Sequence, residues 1–230
     1  MSLLSFQDVY FREGGKTHLE GVSFALEPGE RLVAFGRSGS GKHFLLQLAA
    51  GILMPTKGRI EPPAPGGEAL PVGWIPNEGG LLNNLTLVEN VALPLVYHGL
   101  LERSRAEQAA RDVLAGWGLK NEGERRPAAV GISALRMVQL ARAKLVRPAV
   151  YLLADPLEDV DAATARLVRR VLGELLSGEG RGCIVTTGSL ASYLDWGTRF
   201  LFLRGATLSI FKGKESLLSS ADAEVREFLE

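Results

Sequence analysis

Gly36-Arg37-Ser38-Gly39-Ser40-Gly41-Lys42 follows the apolar run Leu32-Val33-Ala34-Phe35 and precedes Phe44-Leu45-Leu46-Gln47-Leu48. It reads as a phosphate-binding loop, G-x-x-x-x-G-K, set between a buried strand and a helix. Glycines let successive backbone N–H groups converge on phosphate oxygens, and the following helix turns its positive end toward them. Lys42 adds a point charge. The residue after it is His43, where the motif takes Ser or Thr. The missing hydroxyl is the group that would hold Mg²⁺, a hard cation that prefers oxygen to imidazole.

The rest of the composition sets limits. With 230 residues, 46% hydrophobic and 23% charged, the chain can bury a sizeable core. Lys and Arg number 26 against 26 Asp and Glu, so net charge gives no case for nucleic acid or an anionic membrane. A single cysteine, Cys183, excludes an internal disulfide and fits a reducing compartment. Its setting, Cys183-Ile184-Val185, reads as a buried strand. Met1-Ser2-Leu3-Leu4-Ser5-Phe6 lacks the basic-then-apolar pattern of a signal peptide, and no run of 18 apolar residues spans a bilayer. The expectation is a cytoplasmic domain.

Apolar patterning predicts strands at Phe6 to Phe11 and Gly21 to Leu26, joined by the turn Glu13-Gly14-Gly15. Further strands are expected at Arg31 to Phe35, before Pro76, and at Val150 to Ala154 and Gly182 to Thr187. Phe200 to Leu203 and Leu208 to Phe211 read as a hairpin. Helices are expected from Lys42 to Leu53, from Ser104 or Arg105 to Gly116, and from Ala134 to Val146 with Ser133 as its cap. Two more are expected from Ala162 to Leu176 and from Ala221 to Glu230. Glu61-Pro62-Pro63-Ala64-Pro65-Gly66-Gly67 reads as a loop. Strands alternating with helices predict an α/β domain with a mostly parallel central sheet and an N-terminal antiparallel β portion. The chain reads as one folding unit, residues 1–230, with a helical lobe embedded at roughly residues 83–146.

An ordered series of segments gives the chain a family likeness. After the loop come Leu48-Ala49-Ala50-Gly51, Pro55-Thr56-Lys57-Gly58 and Leu85-Thr86-Leu87-Val88-Glu89-Asn90-Val91. Then follow Gln139-Leu140-Ala141-Arg142-Ala143 and Asp155-Pro156, with Asp161 five residues beyond Pro156. Over essentially its whole length the chain resembles the nucleotide-binding subunit of an ABC transporter, a P-loop NTPase. Asn90-Val91-Ala92-Leu93-Pro94-Leu95 is most similar to the ATPases of lipoprotein, macrolide and phospholipid transporters.

The resemblance implies a composite ATP site, in which one subunit faces the L-S-G-G signature loop of another. It implies nucleotide binding at Gly36, Arg37, Ser38, Gly39, Ser40, Gly41, Lys42, His43 and Phe44. At the other motif positions this sequence departs from the family pattern. The strand-end Asp-Glu pair falls on Ala154-Asp155, or slips by one residue; either way Asp155 is the one acid left for catalysis. The phosphate-sensing Gln aligns with Asn77, 35 residues after Lys42, a spacing short for the family that implies a trimmed hairpin. The family's His aligns with Thr187, and the signature with Val130-Gly131-Ile132-Ser133. The adenine-stacking aromatic would fall near Glu13, with Tyr10 or Phe11 as substitutes in another register. The implied ligand is ATP or ADP, with little role for Mg²⁺. The implied partners are a transmembrane permease and a second ABC ATPase subunit, identical or different, with no nucleic acid. The chain would sit on the inner face of the cell membrane through the permease, hydrolysing ATP poorly or not at all. Two other readings stay open: a working ATPase with a rearranged site around Asp155 and Asn77, and a soluble nucleotide-binding module without a permease.

Overall fold

A computed structural model describes residues 2–62, 72–178 and 180–229. Among them, strands β1 (Leu4–Glu13) and β2 (Lys16–Leu26) form a hairpin, and β3 (Arg31–Phe35) runs into the glycine-rich loop and helix α1 (Lys42–Ala49). β4 (Lys57–Glu61) and β5 (Val72–Ile75) precede three helices, α2 (Leu87–Tyr97), α3 (Arg103–Gly116) and α4 (Ile132–Val146). Then come β6 (Val150–Ala154), α5 (Ala162–Leu176), β7 (Gly182–Thr187), β8 (Arg199–Arg204), β9 (Thr207–Phe211), α6 (Lys214–Leu218) and α7 (Ala223–Glu227).

Two sheets result. The smaller is antiparallel in the order β2-β1-β4; the larger runs β5-β6-β7-β3-β8-β9 and is parallel except at β8–β9. The central strands are apolar at nearly every position because both faces are covered. Leu32 and Ala34 of β3 point into a core shared with α1 and the small sheet, whereas Val33 and Phe35 point into a core beneath α5. Val150 and Leu152 against Tyr151 and Leu153 divide the same way along β6, as a side-chain period of two requires.

A third core belongs to the helical lobe, where Leu87, Val91 and Leu95 of α2 meet Ala106, Ala110 and Leu114 of α3 and Val138 of α4. Thr86 opens α2 with a capping box: its hydroxyl accepts the Glu89 N–H (3.1 Å), and the Glu89 carboxylate accepts the Thr86 N–H (2.7 Å). Fully buried Asn90 ties the incoming chain down, accepting the Leu82 N–H (2.7 Å) and donating to Leu82 and Thr86 carbonyls. No helix of the described residues is long and apolar enough to cross a membrane.

Several elements differ from expectation. Helix α1 stops at Ala49, because the chain turns at Ala50 and left-handed Gly51 (φ 70°). Helix α4 begins at Ile132 with Gly131 as its cap, so Ser133 lies inside the first turn. Helix α3 opens one residue early, at Arg103. The expected helix from Ala221 to Glu230 is only the short α7, and α6 before it had no expectation. β1 and β2 extend to the turn itself, and β4 gained no sequence expectation, because Lys57-Gly58-Arg59 lacks alternation. Residues 63–67 of the expected loop, where the trimmed hairpin would also fall, lie outside the described residues.

Candidate functional site

Sheet register sets the site. Phe35 lies level with Thr187, Thr186 with Ala154, and Leu153 with Ile75. The carboxyl ends of β3, β7, β6 and β5 therefore stand side by side, and the chain leaves them at Gly36, Gly188, Asp155 and Pro76. Open α/β sheets bind ligands along such a rim.

At β3 the rim is the glycine-rich loop. Gly36 and Gly41 adopt φ of 151° and 93°; a Cβ would meet the Leu203 carbonyl oxygen at 2.4 Å and that of His18 at 2.8 Å. No other residue fits this path. Lys42 folds back, its Nζ donating to the carbonyls of Gly36 (2.5 Å) and Arg37 (3.1 Å). Burial lowers its pKa, opposed by the charges of Asp155 and Glu158. Ser40 is only 6% exposed, and its Oγ has no hydrogen-bond partner. A buried hydroxyl without a partner in a glycine-rich loop fits a phosphate oxygen as its missing partner.

Arg37 points elsewhere, pairing with Glu224 (3.1 Å) and Glu227 of α7. Ser38 and Gly39 are exposed at the tip. Phe44 anchors the loop from below, its ring 5.0 Å from that of Phe11 and 4.2 Å from that of His18. The His43 imidazole lies 3.8 Å from the Phe44 ring. Burial first, then His18, disfavours its protonated form.

Opposite the loop, Ala154 packs on the core, and Asp155 takes a left-handed backbone (φ 42°). Its Oδ1 accepts the Gly188 N–H (3.0 Å), and burial raises its pKa despite that bond. A cavity of about 250 Å³ opens beside it, lined by Glu158, Thr187, Ser192 and Tyr193 among others. The Tyr193 hydroxyl there is buried without a partner, and the Thr187 hydroxyl donates to the Ser189 carbonyl (3.1 Å).

Asn77 is held on both sides. Its Nδ2 donates to Glu158 Oε2 (2.7 Å), and its Oδ1 accepts from Arg136 of α4 (2.9 Å). Arg136, 2% exposed, also donates to the backbone carbonyls of Pro76 (2.9 Å) and Asn77 (3.1 Å) and to Gln139 Oε1 (3.2 Å). Sequence reasoning missed Arg136; the available signal was a charge between Leu135 and Met137, at the start of the buried run Met137 to Ala141.

The oxygen ligand expected for Mg²⁺ beside the loop is missing. The position after Lys42 offers an imidazole beside an aromatic ring, Ala154 offers nothing, and one Asp155 oxygen is engaged by Gly188. Among the described residues, no three His, Cys, Asp or Glu side chains converge on a point that could hold a metal ion.

The remaining candidates stand at the starts of α4 and α5. Ser133 donates to Asp161 (2.9 Å), and Asp161 caps α5 through the Thr164 N–H (2.9 Å) and hydroxyl (2.8 Å). Those bonds hold the Asp161 carboxyl well below its usual range. Gly131 is exposed at the lobe surface. Neither aromatic near Glu13 is free to stack on a base: Phe11 is buried against Phe44, and Tyr10 carries Lys57 over its ring at 4.6 Å.

Residues 19–158 match the family model described as ABC transporter. The chain is 34% identical to the taurine import ATP-binding protein TauB of Burkholderia pseudomallei over 194 residues, 84% of this chain and 74% of that one. It is 30% identical to the lipoprotein-releasing system ATP-binding protein LolD of Chromohalobacter salexigens over 200 residues, 80% of this chain and 84% of that one. A Fe(3+) ions import ATP-binding protein, FbpC of Mesorhizobium japonicum, is 29% identical over 239 residues. That match takes in all of this chain and 66% of the relative; against FbpC of Brucella suis the share is 50%. The chain thus spans half to two thirds of the length of these iron-import relatives. The dimeric ATP-binding cassette MJ0796, in a post-hydrolysis state bound to ADP and Pi, shares the fold. Its TM-score is 0.81 at 22% identity, covering 91% of this chain and 98% of that one.

Proposed function

Because this chain belongs to the ABC transporter family, we propose that it acts as a transporter's ATP-binding subunit, one nucleotide-binding domain whose phosphate loop binds ATP or ADP but scarcely hydrolyses it. The orphaned Ser40 hydroxyl within the loop supports nucleotide binding. On arrival of a phosphate, Lys42 would exchange the carbonyls of Gly36 and Arg37 for phosphate oxygens, and the loop N–H groups would share the charge. The N–H cradle needs none of the altered side chains.

The observation that carries weak hydrolysis is the strand end itself, where Ala154 stands before Asp155 and an imidazole follows Lys42. Phosphoryl transfer rests on positioned charge and an oriented water. Asp155 is one methylene shorter than Glu, and a misplacement of about 1 Å can cost on the order of 10²-fold. Mg²⁺ would add little here. We further propose a permease and a second ATPase subunit, identical or not, as partners, and a location at the inner membrane face through that permease. The zero net charge supports no nucleic-acid role.

One observation favours a second reading. Glu158 brings another carboxylate to Asn77 (2.7 Å) beside Asp155, as a working ATPase with a rearranged site would need. Steady-state phosphate release decides between the two. Mg²⁺-dependent turnover no higher than that of Lys42→Ala is the expected result; a clear Lys42-dependent rate would establish the rearranged ATPase instead.

A further inference from the structure

The C-terminal segment reaches the phosphate loop. Helix α7 opens at Asp222, whose carboxylate accepts the N–H groups of Glu224 (3.0 Å) and Val225 (3.4 Å). A spacing of three residues turns Glu224 and Glu227 to one side of the helix, and that side meets Arg37, the second residue of the loop. Arg37 donates from Nε to Glu224 Oε1 (3.1 Å) and from Nη2 to Glu227. The acceptors are set in advance, because Arg204 holds Glu224 Oε2 (2.8 Å) and Asp222. Fully buried Val225 and the Phe228 ring, 5.5 Å from that of Phe35, seat the segment against the end of β3.

Arg37 also belongs to the curl of the loop. Its carbonyl accepts both the Lys42 Nζ (3.1 Å) and the Ser40 N–H (3.1 Å). Lys42 Nζ and the unpartnered Ser40 hydroxyl are the groups that would meet a phosphate, so an anion seated on them lies within the span of a side chain anchored at residue 37. A guanidinium holds phosphate through paired, charge-assisted hydrogen bonds, yet this one is committed to two carboxylates. The commitment is readily reversed. The Arg37 side chain is 62% exposed, and exposed ion pairs are weak. When Arg37 leaves, Glu224 keeps Arg204 and Glu227 faces water, so no buried charge is stranded.

We propose that α7 makes an autoinhibitory contact: Glu224 and Glu227 withhold the Arg37 guanidinium from the phosphate site, and a bound phosphate has to win it from them. The inference rests on the loop binding phosphate at all. Helix α7 itself stays docked through Val225 and Phe228, so only the ion pairs exchange. The double variant Glu224→Gln/Glu227→Gln keeps the length of each side chain and an acceptor oxygen on it while removing both charges. It therefore loosens the hold on Arg37 without taking away what seats the helix.

The test is calorimetric titration of the full chain with pyrophosphate, in the presence of a chelator, across a double-mutant cycle. Glu224→Gln/Glu227→Gln should bind pyrophosphate about fivefold more tightly than the unaltered chain, the scale of two exposed ion pairs. The same two substitutions should gain little in a chain that also carries Arg37→Ala. An equal gain without Arg37 would show that the carboxylates act only by their bulk charge and would overturn the proposal, as would no gain with Arg37 present. The unaltered chain supplies a second measurement should a variant fail to fold: the Arg37 Nε–H resonance should shift as pyrophosphate saturates the loop, and a resonance that stays in place would equally overturn it. Failure of pyrophosphate to bind the unaltered chain and every variant would overturn the phosphate-binding reading beneath it.

Discussion

Asp155 holds a carboxylate on a left-handed backbone, half-buried, with Gly188 as its donor and Glu158 close by. Asp and Asn tolerate this region better than most residues, so the strain is modest and the ionisation is the larger cost. Burial raises its pKa above the ordinary 3.8. A raised folded pKa means stability that is fully present below the unfolded value and lost as pH rises through the folded one. Asn keeps the acceptor for Gly188 and the backbone preference while removing the charge. Asp155→Asn should therefore melt higher than the unaltered chain at neutral pH, with the difference vanishing below about pH 4. Equal melting temperatures at neutral pH, measured by scanning calorimetry, would show that the native carboxylate is solvated after all. Cys183, by contrast, titrates in no accessible range: fully buried in β7, its thiol is pushed far up by desolvation.

At the scale of elements, the helical lobe depends on how α2 begins. The Thr86–Glu89 capping box satisfies donors that the first turn leaves free, and Asn90 fastens the preceding segment to it. Thr86→Ala should cost about 1 kcal/mol, seen as a fall in melting temperature of about 2–4 °C for a chain of this size. Hydrogen exchange should rise first around residues 82–90, because lost caps fray locally before they unfold globally. A uniform change across the chain would place the effect elsewhere. The α7 segment behaves differently. Only five residues long, it is held by its side chains: Glu224 pairs with Arg37 and Arg204, Asp222 with Arg204, and Phe228 lies edge-on to Phe35 at 5.5 Å. Exposed ion pairs contribute little each, so fully buried Val225 and the Phe228 ring are its main anchors.

For the whole molecule, the proposed loss of hydrolysis is chemistry lost on an intact frame, and so repairable. Rebuilding His43→Ser, Asn77→Gln, Ala154→Asp, Asp155→Glu and Thr187→His together, with residues 130–133 as Leu-Ser-Gly-Gly, should restore measurable turnover. Each change alone should not, since groups that act as one unit are strongly non-additive. Turnover after a single repair would contradict this; so would a folded, dimeric, fully repaired chain with no activity. Much of the frame could be read from sequence. Continuous apolar runs marked β3, β6 and β7 as strands covered on both faces, and the glycine spacing marked the loop between β3 and α1. The likeness to ABC transporter subunits followed from the order of such local segments, each legible because periodicity and turn chemistry act between near neighbours. Tertiary structure alone decided which side chains answer one another across the rim. Asn77 meets Glu158 across 81 residues and Arg136 across 59; Arg37 reaches Glu224 across 187. Partnerships of that length depend on sheet register and on how the lobe seats against the core, and no local pattern records either. The sequence could show that Glu158 is an acid near a strand end; only the packed fold could tie it through Asn77 to Arg136.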